Sequence, residues 1–176
     1  MAYTDSQGNF RAYHRNILLS LNDFREATTG DVGAITANGG ILASDTTPTL
    51  SGTSTGISQQ ISWATGNVDQ ILCQIALPSD FDGRDDVLLD LWVNSGTTDA
   101  ATFAVTTSWD GGATVTDSAD DSTSLSATTH RVTALISRDD VPDQASYVSI
   151  ALVPGTHGTN TVQLIAARLR VNYRSN

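Results

Sequence analysis

Lysine is absent from this chain, and glutamate occurs once, at Glu26. All 9 basic residues are therefore arginines, and the 19 acidic residues are aspartates apart from that one glutamate. The net charge is −10. No basic stripe in the sequence offsets this acidity, so nucleic acid is not expected as a partner: its phosphates would meet like charge. An acidic, lysine-free surface suits high salt, where it stays hydrated. A G+C-rich genome that avoids lysine codons yields the same composition. Cysteine is nearly absent too. Cys73 has no second cysteine to pair with, which excludes an internal disulfide. It alternates with Ile71 and Ile75 and reads as a small buried hydrophobe. No apolar run approaches the ~18 residues of a membrane span, so no membrane partner is expected. Residues 1–7 carry neither a basic nor an apolar leader pattern, and the expectation is synthesis in a cytoplasm without a secretion signal. No Asn-x-Ser/Thr acceptor is present. No window carries a helical apolar stripe.

Alternation at period two is what the sequence does have. It is clearest from Asp86 to Asn94. Val87, Leu89, Leu91 and Val93 fall on one face, and Leu88, Asp90 and Trp92 on the other. The first row is the core face of a strand. The second is not simply polar, so this strand is either covered on both sides or presents an outward face to a partner. Similar strands are expected over 16–26, 57–63, 71–77, 101–110, 129–136, 147–153 and 161–173. Adjacent Leu164 and Ile165 in the last imply either two apolar faces or a bulge. The segment 28–55, rich in Thr, Ser and Gly, reads as a long loop or a run of short edge strands. The segment 113–124 reads as a loop or weak hairpin.

About eight short strands separated by turn signals imply an all-β, single-domain, jelly-roll-like sandwich of antiparallel strands. The domain plan is an extended N-terminal arm and first strand over 1–25, then a sandwich over 26–176 that includes the long loop. Residues 1–15 contain the only locally basic stretch, with Arg11, His14 and Arg15. They read as a frayed terminus or as an arm that orders on an acidic neighbour.

Little in the sequence points to catalysis. Gly52-Thr-Ser-Thr-Gly56 matches the esterase elbow pattern, but that elbow needs a strand before the serine and a helix after it. His14, His130 and His157 stand in no ligand spacing, and each reads as a surface or hydrogen-bonding residue. Asp80, Asp82, Asp85 and Asp86 are a weak Ca²⁺ candidate without EF-hand spacing, and solvated acidic turns are the simpler reading. No other metal and no cofactor is expected. Trp63 and Trp109 share rows with apolar residues and belong in the core. Trp92 points outward. It can anchor a protein interface, lie under a covering loop or stack on a sugar ring, in that order of preference.

The cadence from Ile61 to Tyr173 carries a resemblance. It runs Ile61-Ser-Trp-Ala, Ile75-Ala-Leu-Pro-Ser-Asp-Phe-Asp, Asp85-Asp-Val, a Gly96-Thr-Thr-Asp turn and Phe103-Ala-Val. It ends with Asp139-Asp-Val-Pro, Val148-Ser-Ile-Ala-Leu-Val-Pro-Gly-Thr-His157 and a long final strand. About two thirds of the chain is covered, and residues 1–56 are not. This resembles small β-sandwich virion proteins of tailed phages and related viruses, of the capsid decoration (cement) type. The resemblance implies a structural, non-enzymatic protein on the capsid exterior that binds and stabilises the assembled head. It implies the major capsid protein as partner and a homotrimer. Leu88 and Trp92 would then lie at a subunit contact, and Arg11, Tyr13 and Arg15 in the arm that grips the capsid. The alternative is a carbohydrate- or receptor-binding β-sandwich module of a phage tail or fibre. An enzyme is the weakest reading.

Overall fold

The computed structural model describes residues 13–27, 42, 48–52, 56, 58–96, 101–119 and 128–173. These form 12 strands and two 3-10 turns. Seven strands fall where alternation places them: β4 (Gln59–Trp63), β5 (Gln70–Ala76), β7 (Val87–Asn94), β8 (Phe103–Trp109), β10 (His130–Ile136), β11 (Tyr147–Pro154) and β12 (Val162–Tyr173). The strand expected over 16–26 is instead β1 (Tyr13–Leu19), which begins inside the expected arm and ends before a 3-10 turn at Leu21–Asp23. Four more are short or polar: β2 (Arg25–Ala27), β3 (Thr49–Gly52), β6 (Phe81–Asp82) and β9 (Thr114–Ala119). The sequence does not mark these four as separate strands. β9 turns only Val115, Asp117 and Ala119 toward the core side, and β6 is two residues long.

All pairings are antiparallel, and the sheet path runs β2-β5-β11-β8-β9-β10-β7-β12-β4-β3, with β1 and β6 also on β12. The link from β9 to β10 is a single pair, Ala119 opposite Ala134. There the sheet curls, and its two halves face each other as the layers of a sandwich. Aromatic contacts cross between them. The Trp63 and Phe103 rings meet edge to face at 5.6 Å, and Phe81 stacks on Trp109 at 5.7 Å. Both tryptophans expected inside are therefore core residues, and the Trp63 indole Nε1–H donates to the Asp69 carbonyl at 2.8 Å.

The buried rows follow the alternation. Val87, Leu89, Leu91 and Val93 are fully buried, as are Val148, Ile150 and Leu152 facing them from the other half. Cys73 is buried in the same core. Desolvation, with a smaller push from the Asp23 charge, raises its thiol to about 12. The register of β12 against β7 slips between Leu164 and Ala166, so the paired apolar residues are accommodated by a bulge.

Loop crossings set the ends of the strands. Gly83 lies so close to the 141–142 backbone that an added Cβ would stand 2.1 Å from the Pro142 carbonyl oxygen. Only glycine fits there. His157 is buried rather than in an open turn. Its Nδ1 lies 2.8 Å from the Gly155 carbonyl and its Nε2 3.1 Å from that of Ala64, which ties the β4–β5 turn to the β11–β12 turn.

Candidate binding face

The half of the sheet containing β10, β7, β12 and β1 presents a rigid outward face. Register places its side chains in rows. Arg131, Trp92 and Ala166 form one row. Thr133, Asp90, Arg168 and Leu18 form the next, and Leu135, Leu88, Arg170 and Asn16 the third. Leu88 and Trp92 thus point outward together, as the alternation in 86–94 requires, and both are half-buried. Leu18 and Leu135 flank them at 78% and 55% exposure.

The centre of this face is a carboxylate. Asp90 is fully buried although it stands on the outward row, because arginines close over it. Thr133 Oγ1 donates to its Oδ1 at 2.8 Å. Arg168 donates from Nε and Nη2 to Oδ2 at 3.1 and 2.6 Å, and Arg170 Nη2 donates to Oδ1 at 3.0 Å. Arg131 Nε stands further off, 4.0 Å from Oδ1. Burial taken singly raises the Asp90 carboxyl. The hydrogen bonds from Arg168 and Thr133 and the charge of Arg170 outweigh it, and the group lies below the ordinary carboxylate range. The Arg168 guanidinium also lies over the Trp92 ring, 5.0 Å from its centroid. The indole is thereby fixed in orientation, with part of its surface open to solvent.

The outward face of the other half carries mostly small or uncharged groups. Gln74, Ser149 and Ser108 form one row across it, and Arg25, Leu72, Ala151, Thr106 and Thr116 the next, with Tyr147 opposite Ala76 at one end. A depression of about 390 Å³ at the end of the sandwich is lined by Leu77, Pro78, Phe81, Gln144 and Ala145 among others, with no ionisable side chain. Neither gathers the aromatic and charged groups of the Trp92 face.

The other sequence candidates are placed as follows. Arg11 and Ser54 lie outside the described residues. The backbone of Tyr13 pairs with Tyr173. Arg15 forms a double hydrogen bond with Asp80, at 3.2 and 3.0 Å, and its guanidinium lies 4.8 Å from the Tyr173 ring centroid. Arg15 thus meets an acid of its own chain, and residues 1–12 of the expected arm lie outside the described residues. Asp82 is held by Arg84, and Asp86 Oδ1 accepts from the Arg138 backbone N–H at 3.0 Å. Among the described residues no three His, Cys, Asp or Glu side chains converge as a metal site, and Asp80, Asp82, Asp85 and Asp86 do not form one. After Gly52-Thr-Ser-Thr-Gly56 the described chain continues into strand β4, not into the helix an esterase elbow needs. His14 is exposed on β1, and His130 Nδ1 lies 3.2 Å from the Thr128 carbonyl oxygen.

Sequence reasoning missed the three arginines around Asp90. Arg168 and Arg170 alternate with Leu169 and Val171, which marks them as outward. Their meeting with Asp90 depends on β12 pairing with β7.

No family model and no curated protein sequence matches the chain. Its fold is similar to that of several solved structures. A xylan-binding module, CBM15, aligns with TM-score 0.59 and 16% identity over 93% of this chain and 100% of that one. A xylanase 10C from Cellvibrio japonicus in complex with xylopentaose aligns at 0.53 and 16% identity, covering 91% of this chain and 29% of that one. The CBM22-1–GH10 modules of an endo-1,4-β-D-xylanase from Clostridium thermocellum, complexed with xylohexaose, align at 0.51 and 11% identity, over 94% of this chain and 28% of that one. The chain thus spans the whole of a binding module and less than a third of each of these two xylanase chains. At these identities the likeness is one of fold: a β-sandwich of the architecture found in carbohydrate-binding modules.

Proposed function

We propose that the chain is a carbohydrate-binding β-sandwich module that holds a polysaccharide across the outward face around Trp92. The observation that carries this reading is the face itself. A half-buried indole stands beside planar guanidinium donors on the sheet, with the Arg168 guanidinium 5.0 Å from its ring centroid. A sugar ring has an apolar C–H face and an equatorial rim of hydroxyls. The indole suits the first, and the guanidinium N–H groups suit the second. The shared fold with a xylan-binding module supports the same reading. In the virion setting that the sequence resemblance implies, such a module serves as a receptor-binding element of a tail or fibre.

Affinity electrophoresis through gels containing neutral and charged polysaccharides, followed by titration calorimetry, tests the proposal. The expected result is retardation by at least one polysaccharide and a loss of at least about tenfold in affinity for Trp92→Ala, as removal of a stacking aromatic implies. A protein that binds no glycan, but forms trimers and co-sediments with empty capsids, favours the decoration role over this one.

A further inference from the structure

The outward face has a charge opposite to the rest of the molecule. Register assigns Arg131, Thr133 and Leu135 of β10, Leu88, Asp90, Trp92 and Asn94 of β7, and Ala166, Arg168 and Arg170 of β12 to it. Asn16 and Leu18 of β1 continue it. Of the 19 acidic residues in a chain of net charge −10, Asp90 is the one that these strands carry outward. Three guanidiniums share that single carboxylate, which leaves two positive charges in excess.

One of these guanidiniums, that of Arg131, is not needed to hold Asp90. A carboxylate accepts about four hydrogen bonds, and Thr133, Arg168 and Arg170 already supply that number. Arg131 approaches no closer than 4.0 Å, its side chain is 52% exposed, and it makes no hydrogen bond among the described residues. It sits opposite Trp92 in the same row. Elsewhere Arg15 is matched by Asp80, Arg84 by Asp82 and Arg138 by Asp139, and Arg25 donates to the Asn22 and Phe24 carbonyl oxygens. A guanidinium carries five N–H donors in a planar fork suited to an oxyanion, so this row offers unfilled donors beside the aromatic platform.

We infer that the polysaccharide held on this face is anionic, with oxyanion groups on its sugars that Arg131 and the outward edges of Arg168 and Arg170 receive. The inference rests on the glycan-binding reading and narrows it to one substrate class. Uronate carboxylates and ester sulfates share the required chemistry. The acidity of the remaining surface repels a polyanion, which confines its docking to this patch.

The test compares affinities for matched polymers. One pair is a uronate-bearing polysaccharide and the same polymer with its carboxyls reduced to alcohols. The other is a sulfated polysaccharide and its desulfated form. The expected result is binding at least about tenfold tighter to one charged member than to its neutral match, as two or more charge-assisted contacts imply. The pair that shows the preference identifies the oxyanion. In Arg131→Gln that ratio falls about fivefold while the thermal midpoint stays within a degree or so of the parent, because Arg131 has no close partner to lose. Equal affinity for charged and neutral members overturns the inference and leaves the glycan reading standing. Binding to none of the four polymers overturns both.

Discussion

Asp90 is the side chain on which the outward face depends. Replacing it by Asn keeps its shape and removes the charge that three arginines share. Like charges then crowd one sheet face, and hydrogen bonds from Arg168 and Arg170 weaken. A loss of about 2 kcal/mol is expected, below the figure for a fully enclosed ion pair because the guanidiniums reach solvent. Denaturant midpoints of the two proteins measure it, and an unchanged midpoint shows that the network does not stabilise the fold. The pH sense follows from the depressed carboxyl. Its contribution is present above the ordinary carboxylate value and is lost only as pH falls through the lower folded value. Cys73 works in the opposite range. Its thiol ordinarily ionises near 9.0 but is held to about 12 in the fold. Between those values the unfolded chain releases a proton that the folded chain keeps. Stability is therefore complete below the ordinary value and declines as pH rises, by at most about 1.4 kcal/mol per unit. A Cys73→Val variant lacks that share of the alkaline decline. A thiol reagent at neutral pH should modify the parent only after denaturant is added, and rapid labelling of the native protein would contradict the burial.

At the scale of elements, β1 is the instructive case. It lies along β12 over its full length, from Tyr13 opposite Tyr173 to Leu19 opposite Ala167. It also supplies the buried Leu19 to the core. Deleting residues 1–19 uncovers the backbone edge of the longest strand and removes that side chain. A loss of several kcal/mol and a tendency to associate edge to edge are expected. Arg15→Ala alone costs no more than about 1 kcal/mol, since its pair with Asp80 is exposed. Urea unfolding and light scattering of the two proteins separate these effects. The same strand shows a limit of what was legible in the sequence, since the strand expected over 16–26 is broken by a 3-10 turn at Leu21–Asp23. Seven others announced themselves because one face of each alternates large apolar residues, a pattern that burial enforces. β2, β3, β6 and β9 did not, because each is too short or too polar to show a run of alternating large apolar residues. The outward direction of Leu88 and Trp92 followed from parity alone. The Asp90 cluster did not, since it joins residues 78 and 80 positions apart along the chain. Their meeting also depends on a bulge near Ile165 that resets the register. Arg15 illustrates the remaining gap: composition marked it as able to order on an acid, but not that the acid was Asp80 of the same chain.

For the whole molecule, the dominant field is that of a −10 chain with one positive face. Folding draws the aspartates together, so mutual repulsion subtracts from stability wherever they lack a cation. That repulsion acts over the Debye length, about 30 Å at 0.01 M salt and about 8 Å at 0.15 M. Adding sodium chloride across this range should therefore raise the thermal midpoint by a few degrees, with little further gain up to about 0.3 M. The Asp90 pairs respond in the opposite direction but weakly, because a desolvated carboxylate with guanidiniums at hydrogen-bond distance is poorly screened. The Asp90→Asn variant tests that separation. It lacks the pairs and keeps almost all of the acidic surface, so its midpoint should rise with salt at least as steeply as the parent's. A midpoint that falls with salt in the parent but not in the variant would mean that the arginine face, rather than the acidic surface, governs the electrostatics of the fold.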